Sequence, residues 1–124
     1  MTSRIAAIAI DAVDTRMVAD FWCAVLGWHV VEEDNDGVSI GPPDASWPAI
    51  DVLAVTETKS VKNRLHFDLR AGDSSTEDEL KRLLSLGARR TDVGQSDDVT
   101  WVVLSDPEGN EFCLLSRTVA QAQG

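Results

Sequence analysis

The chain has 124 residues, 44% of them hydrophobic and 26% charged. That is ordinary usage for one folded domain and excludes a disordered or low-complexity chain. Eleven Lys and Arg stand against 21 Asp and Glu, a net charge of −10, and such a surface repels phosphate, so nucleic acid and anionic membranes are not expected partners.

Taken in order, Arg4 to Asp11 is rich in Ile and Ala and reads as a strand. Asp14-Thr15 supplies a helix N-cap. Met17, Val18, Phe21, Trp22, Val25 and Leu26 recur at helical spacing, and Gly27 stops the helix. Trp28 to Glu33 and Gly37 to Ile40 read as strands around an Asp36-Gly37 hairpin turn. A loop carrying Pro42, Pro43 and Trp47 leads to a strand over Ala49 to Val55, and 56–63 is a polar connector. The order then restarts. Arg64 to Arg70 is a strand; Ser74, Ser75 and Thr76 offer caps, with a capping-box pattern over Thr76 to Glu79. Leu80, Leu83, Leu84 and Leu86 form a buried stripe before Gly87. Strands over Ala88 to Val93 and Val99 to Leu104 flank a turn over Gln95 to Asp98. Asp106 to Asn110 is a turn with proline at its second position, and Glu111 to Ser116 is the last strand. The tail from Thr118 is expected to fray.

This is one β-α-β-β-β order written twice, about 60 residues apart, too long a period for a solenoid. The predicted class is α+β: two βαβββ units (about 4–55 and 64–117) in one domain over 1–124, with a cleft between curved mixed sheets. Cys23 and Cys113 form no CxxC, which fits a reducing cytoplasm. No stretch approaches the roughly 18–20 apolar residues of a membrane span. Met1 to Arg4 leads into a strand and does not read as a signal peptide.

Strand residues alternate faces. Ile8 and Ile10 go under the first helix, leaving Ala7, Ala9 and Asp11 to face the cleft. Leu65, Phe67 and Leu69 go under the second, leaving His66, Asp68 and Arg70. In the last strand Phe112 and Leu114 alternate against Glu111, Cys113 and Leu115. The expected pocket is therefore Asp11, Trp47, His66, Asp68, Trp101 and Cys113, with Trp47 and Trp101 able to stack on a flat ligand. His66 is the best candidate for acid–base chemistry, assisted by Asp11, Asp51, Asp68 or Glu111. The plainer readings are an Asp68 ion pair with Arg70 or Arg64, a solvated Glu111, a neutral His66 bonded to Asp68 or backbone, and Cys113 as a small buried hydrophobe. Trp22 and Trp28 read as core or interface, and His29 as half exposed.

The phrases Ala19-Asp20-Phe21-Trp22-Cys23-Ala24-Val25-Leu26-Gly27-Trp28, Asn63-Arg64-Leu65-His66-Phe67-Asp68-Leu69 and Asp106-Pro107-Glu108-Gly109-Asn110-Glu111-Phe112-Cys113 carry a resemblance. With the double βαβββ order, the chain resembles the vicinal oxygen chelate superfamily of glyoxalases, bleomycin-resistance proteins and extradiol dioxygenases. It is most similar to small glyoxalase-like proteins of high-GC bacteria, over roughly 4–117. The resemblance implies a homodimer. In metal-dependent members it implies ligands from a His opening each unit and a carboxylate in the last strand. Those positions are His66, which matches, and Ala7 and Cys113, which depart; the first-unit carboxylate falls near Asp51. No cofactor is predicted. If a divalent metal binds, the expected ligands are His66 with Cys113 or Asp51. The expected function is metal-independent binding or sequestration of an aromatic or amphipathic small molecule. The alternatives are a lyase, isomerase or dioxygenase-like enzyme using His66, and a non-catalytic interaction module.

Overall fold

The alternation read at the start of the chain is realised in β1 (Ala7–Ala12): Ala7, Ala9 and Asp11 are exposed, while Ile8, Ile10 and Ala12 turn inward. The computed structural model describes residues 2–46, 48–91 and 101–123. The chain divides into two compact units, Met1–Thr58 and Lys59–Gly124.

In the first unit β1 leads into α1 (Thr15–Leu26), then β2 (His29–Asp34), β3 (Gly37–Gly41) and β4 (Ala49–Ala54). Asp14 caps α1 by accepting from the Met17 amide at 3.1 Å, and Gly27 ends it at φ 69°, a left-handed conformation that costs glycine nothing. The helix buries Val18, Ala19, Phe21, Trp22 and Val25. Met17, expected in that stripe, is exposed and Ala19 takes its place. The sheet order is β1-β4-β3-β2, with β1 and β4 parallel and the rest antiparallel. Ile8 and Ile10 lie in register with Ile50 and Val52, which lie beside Ile40 and Val38; this is the core face. The hairpin turn is Asn35-Asp36, stapled by the Asp34 carboxylate accepting from the Asp36 and Gly37 amides. Gly37 lies in β3 rather than in the turn, and its role is space. A Cβ there would run into the Val52 carbonyl.

In the second unit β5 (Phe67–Leu69), α2 (Thr76–Leu86), β6 (Arg89–Arg90), β7 (Val102–Ser105) and β8 (Glu111–Leu114) repeat the order. The sheet runs β5-β8-β7-β6, again with its first and last strands parallel. The class is therefore α+β with two βαβββ units and two mixed four-stranded sheets. Several local expectations are corrected. Of the three caps offered for α2 it is Ser75 that serves, accepting from the Asp78 amide, while the Thr76 hydroxyl donates to the Ser116 carbonyl. Of the leucine stripe only Leu83 is fully buried, and Leu84 is exposed. Leu65 precedes the strand and is 89% exposed, so it does not pack under α2. The tail forms a short helix, α3 (Val119–Gln123), in which Thr118 and Gln121 cap each other reciprocally. The strand ends over 92–93 and 99–100, the turn over Gln95 to Asp98, and Trp47 lie outside the described residues.

Candidate functional site

Two strands of the second unit assemble the polar cluster. β5 and β8 run parallel, with Asp68 opposite Cys113, and with Phe67–Phe112 and Leu69–Leu114 on the other face. Phe112 and Leu114 are buried, which fixes the strand's facing and turns Asp68 and Cys113 away from that core. Val103, the Cys113 partner in β7, is buried beside it. His66 immediately precedes β5. Its Nδ1 lies 3.3 Å from Asp68 Oδ1, and the His66, Asp68 and Cys113 donor atoms all lie within 4.8 Å of one another.

The cluster is wet on one side and dry on the other. His66 and Asp68 are exposed, while Cys113 is 7% exposed. Burial pushes the Cys113 thiol up, the Asp68 charge and a hydrogen bond to it push it further, and Lys62 pulls the other way. Cys113 is thus a protonated thiol at neutral pH, not an activated nucleophile. Cys23 is likewise pushed up, first by burial and then by the Asp20 charge.

The other candidates stand on other strands and loops. Among the described residues Asp68 meets His66 and Cys113 rather than an arginine, and the Arg70 guanidinium donates to the Arg117 carbonyl at 3.0 Å. Asp11 and Asp51 belong to the first unit, on its open face with Ala7 and Ala9. Asp51 accepts from the Ser39 hydroxyl at 2.6 Å and lines a shallow acidic depression with Glu32, Asp34 and Asp36. Trp101 precedes β7 and is 40% exposed.

Glu111 is not solvated. Its side chain is 9% exposed and accepts from Lys59 Nζ at 2.9 Å and from the Asn63 amide at 3.3 Å. Asn63 also donates to Asn110 Oδ1 at 3.2 Å. These bonds tie the segment leading into His66 to the start of β8. Sequence reading missed Lys59 and Asn63, whose partner lies about 50 residues away and which carry no local pattern. Burial alone would raise the Glu111 carboxyl. The Lys59 bond, the backbone amides and the Lys59 charge outweigh it and hold the group below its usual 4.5. A carboxyl lowered by folding stabilises the fold above the unfolded value and loses that contribution as pH falls through the lowered one. The urea midpoint is therefore expected to drop below about pH 4.5, and Glu111→Gln to flatten that drop while lowering the midpoint at pH 7.

The profile of a family described as a glyoxalase-like domain matches residues 7–115. The chain belongs to the glyoxalase-like family. It is a member of the vicinal oxygen chelate superfamily. No curated protein gives a significant sequence match. Among solved structures the chain is similar to a glyoxalase/bleomycin resistance protein/dioxygenase family enzyme from Burkholderia phytofirmans PsJN (19% identity, 90% of this chain and 97% of that one, TM-score 0.65). It is similar to the fosfomycin resistance protein FosX from Listeria monocytogenes, in complex with Mn(II) and 1S,2S-dihydroxypropylphosphonic acid (12%, all of both chains, 0.70). It is also similar to TnmS3, an antibiotic binding protein from Streptomyces sp. CB03234 (14%, 94% and 98%, 0.59). At these identities the likeness is one of fold.

The family's metal positions can now be tested against the side chains present. Ala7 carries no donor, and Cys113 offers sulfur where a carboxylate is expected. A hard ion such as Mn(II) prefers carboxylate, carbonyl and water, so this set does not fit it. Among the described residues the donors that gather are His66, Asp68 and Cys113.

Proposed function

We propose that this glyoxalase-like protein binds a small aromatic or amphipathic molecule and that the binding needs no metal. The observation that carries the reading is Cys113: a buried thiol against Asp68 stands where the resemblance implies a carboxylate, and Ala7 stands where it implies the first unit's histidine. The His66–Asp68–Cys113 face then offers hydrogen-bonding groups rather than a hard-metal triad, and Trp101 supplies an exposed ring. That an antibiotic binding protein shares the fold supports the reading. The protein is proposed to act in the cytoplasm as a homodimer, which light scattering on the purified chain checks.

The test is a compound library titrated against chelator-treated protein, read by tryptophan fluorescence and thermal upshift. A binder whose affinity falls at least about tenfold in His66→Ala, and is unchanged by chelator, is the expected result. Binding only after divalent metal is added would overturn it.

A second reading has its own observation. The 3.3 Å His66–Asp68 pair is the arrangement that orients an imidazole for proton transfer, and it favours a lyase or isomerase. Turnover of the identified ligand, lost in His66→Ala and reduced in Asp68→Asn, would establish that reading.

A further inference from the structure

We propose that Glu111 is a positioning residue for His66: through Lys59 and Asn63 it latches the connector onto β8 and so fixes where the imidazole stands. This deepens the ligand-binding reading and rests on it for one consequence, affinity; the placement itself is measured without ligand.

The His66 backbone is held on its downstream side only by a short strand. β5 is three residues long, and its pairing with β8 starts at Phe67, opposite Phe112. Upstream, Arg64 and Leu65 are exposed, Leu65 at 89%, so no packing steadies them. The next fixed point is Asn63, three residues from His66 and so within about 10 Å of it along the chain. The Asn63 amide donates to Glu111 Oε1 at 3.3 Å and to Oε2 at 3.4 Å, and its side chain donates to Asn110 Oδ1. Glu111 immediately precedes Phe112, so its carboxylate takes over as acceptor one step beyond the last backbone pair. That carboxylate is itself pinned. Lys59 Nζ donates to it at 2.9 Å, and the Lys59 stem lies along the turn: a Cβ at Gly109 would stand 3.9 Å from Lys59 Cδ. Asn110 is fixed in turn by Asp106. A carboxylate only 9% exposed is costly to leave without its partners, so Lys59 and Asn63 hold Glu111 and Glu111 holds the connector. Cys113 follows two residues later on the same strand face. The latch thus sets His66 against the strand that supplies Cys113.

The test is amide hydrogen exchange over residues 61–66, with the imidazole resonances, in the ligand-free full chain. His29 is the internal control. Lys59→Met and Asn63→Ala should each speed that exchange at least about fivefold and shift or broaden the His66 resonance, with His29 unmoved. Lys59→Arg should restore both readings. Lys59→Met placed in a Glu111→Gln background should add nothing beyond the larger single effect, because both act on one bond. Leu83→Val, in the core and away from the latch, should lower the urea midpoint and leave His66 as in the wild type. Circular dichroism establishes that each variant is folded. Unchanged exchange and an unmoved His66 in folded Lys59→Met and Asn63→Ala, or equal changes in Leu83→Val, would overturn the proposal. A ligand found by fluorescence should bind Lys59→Met at least about threefold more weakly. A His66 that loosens while affinity holds would leave the latch standing and count against His66 as the ligand residue.

Discussion

Asp106→Ala is expected to destabilise the second unit by about 3–4 kcal/mol, a drop in melting temperature on the order of 10 °C. Asp106 is a buried charged residue, 1% exposed, and its side chain is the frame of the turn before β8. Oδ1 accepts from the Glu108 and Asn110 amides at 2.9 Å each, and Oδ2 accepts from the Asn110 side chain at 2.9 Å. The backbone closes around it: the Gly109 amide donates to the Asp106 carbonyl, and the Asp106 amide to that of Asn110. Pro107 presets the first bend and Gly109, at φ 91°, takes the conformation other residues resist. Alanine removes every side-chain acceptor and leaves at least three donors to be satisfied some other way. Asp106→Asn is the discriminating control. Its carbonyl oxygen can keep the two amide bonds while the bond to the Asn110 side chain is lost, so about 1 kcal/mol is expected. Urea denaturation of both variants checks the ordering. Because Asn110 also bonds Asn63, and Glu111 follows at once, Asp106→Ala should disturb the approach to His66 as well.

Trp22→Ala is expected to cost about 4 kcal/mol in the first unit. Trp22 is 1% exposed and meets Phe21 edge-to-face, with ring centroids 5.2 Å apart at 88°. It sits on the face of α1 that packs over β3 and β4. Alanine leaves a void that a helix pinned at both ends by Asp14 and Gly27 cannot easily fill. Trp22→Phe keeps most of the apolar volume and should cost about half as much. Denaturation midpoints, with hydrogen exchange resolved by unit, measure the loss and show whether it stays in the first unit.

The legibility of these features in the sequence follows from their range. Asp14 and Gly27 bound α1 through contacts a few residues long, and both were readable. The inward turn of Ile8, Ile10, Phe112 and Leu114 follows from period-two alternation, so the placing of Cys113 on the opposite face from that core was readable too. The second helix offers three caps, and which of them serves is settled at long range: Thr76 finds a partner in Ser116, 40 residues on, and Ser75 caps. Asp106 was readable as a turn residue, but not as a buried one, because its burial depends on how the turn folds back over it. Period-two alternation already puts Asp68 in one pocket with His66 and Cys113; its place directly opposite Cys113 needs the parallel β5–β8 register, which no local pattern carries. Leu65 shows the converse: alternation was extended past the end of a strand that is only three residues long.

The central claim is that His66 marks the ligand site and works without a metal. The chain has two histidines, His29 and His66, so the imidazole proton resonances give a direct reading with an internal control. In chelator-treated protein, titration with a ligand found by fluorescence should shift or broaden the His66 resonance and leave His29 unmoved. A ligand that binds while both resonances stay fixed, or that moves His66 only when a divalent ion is present, would contradict the account.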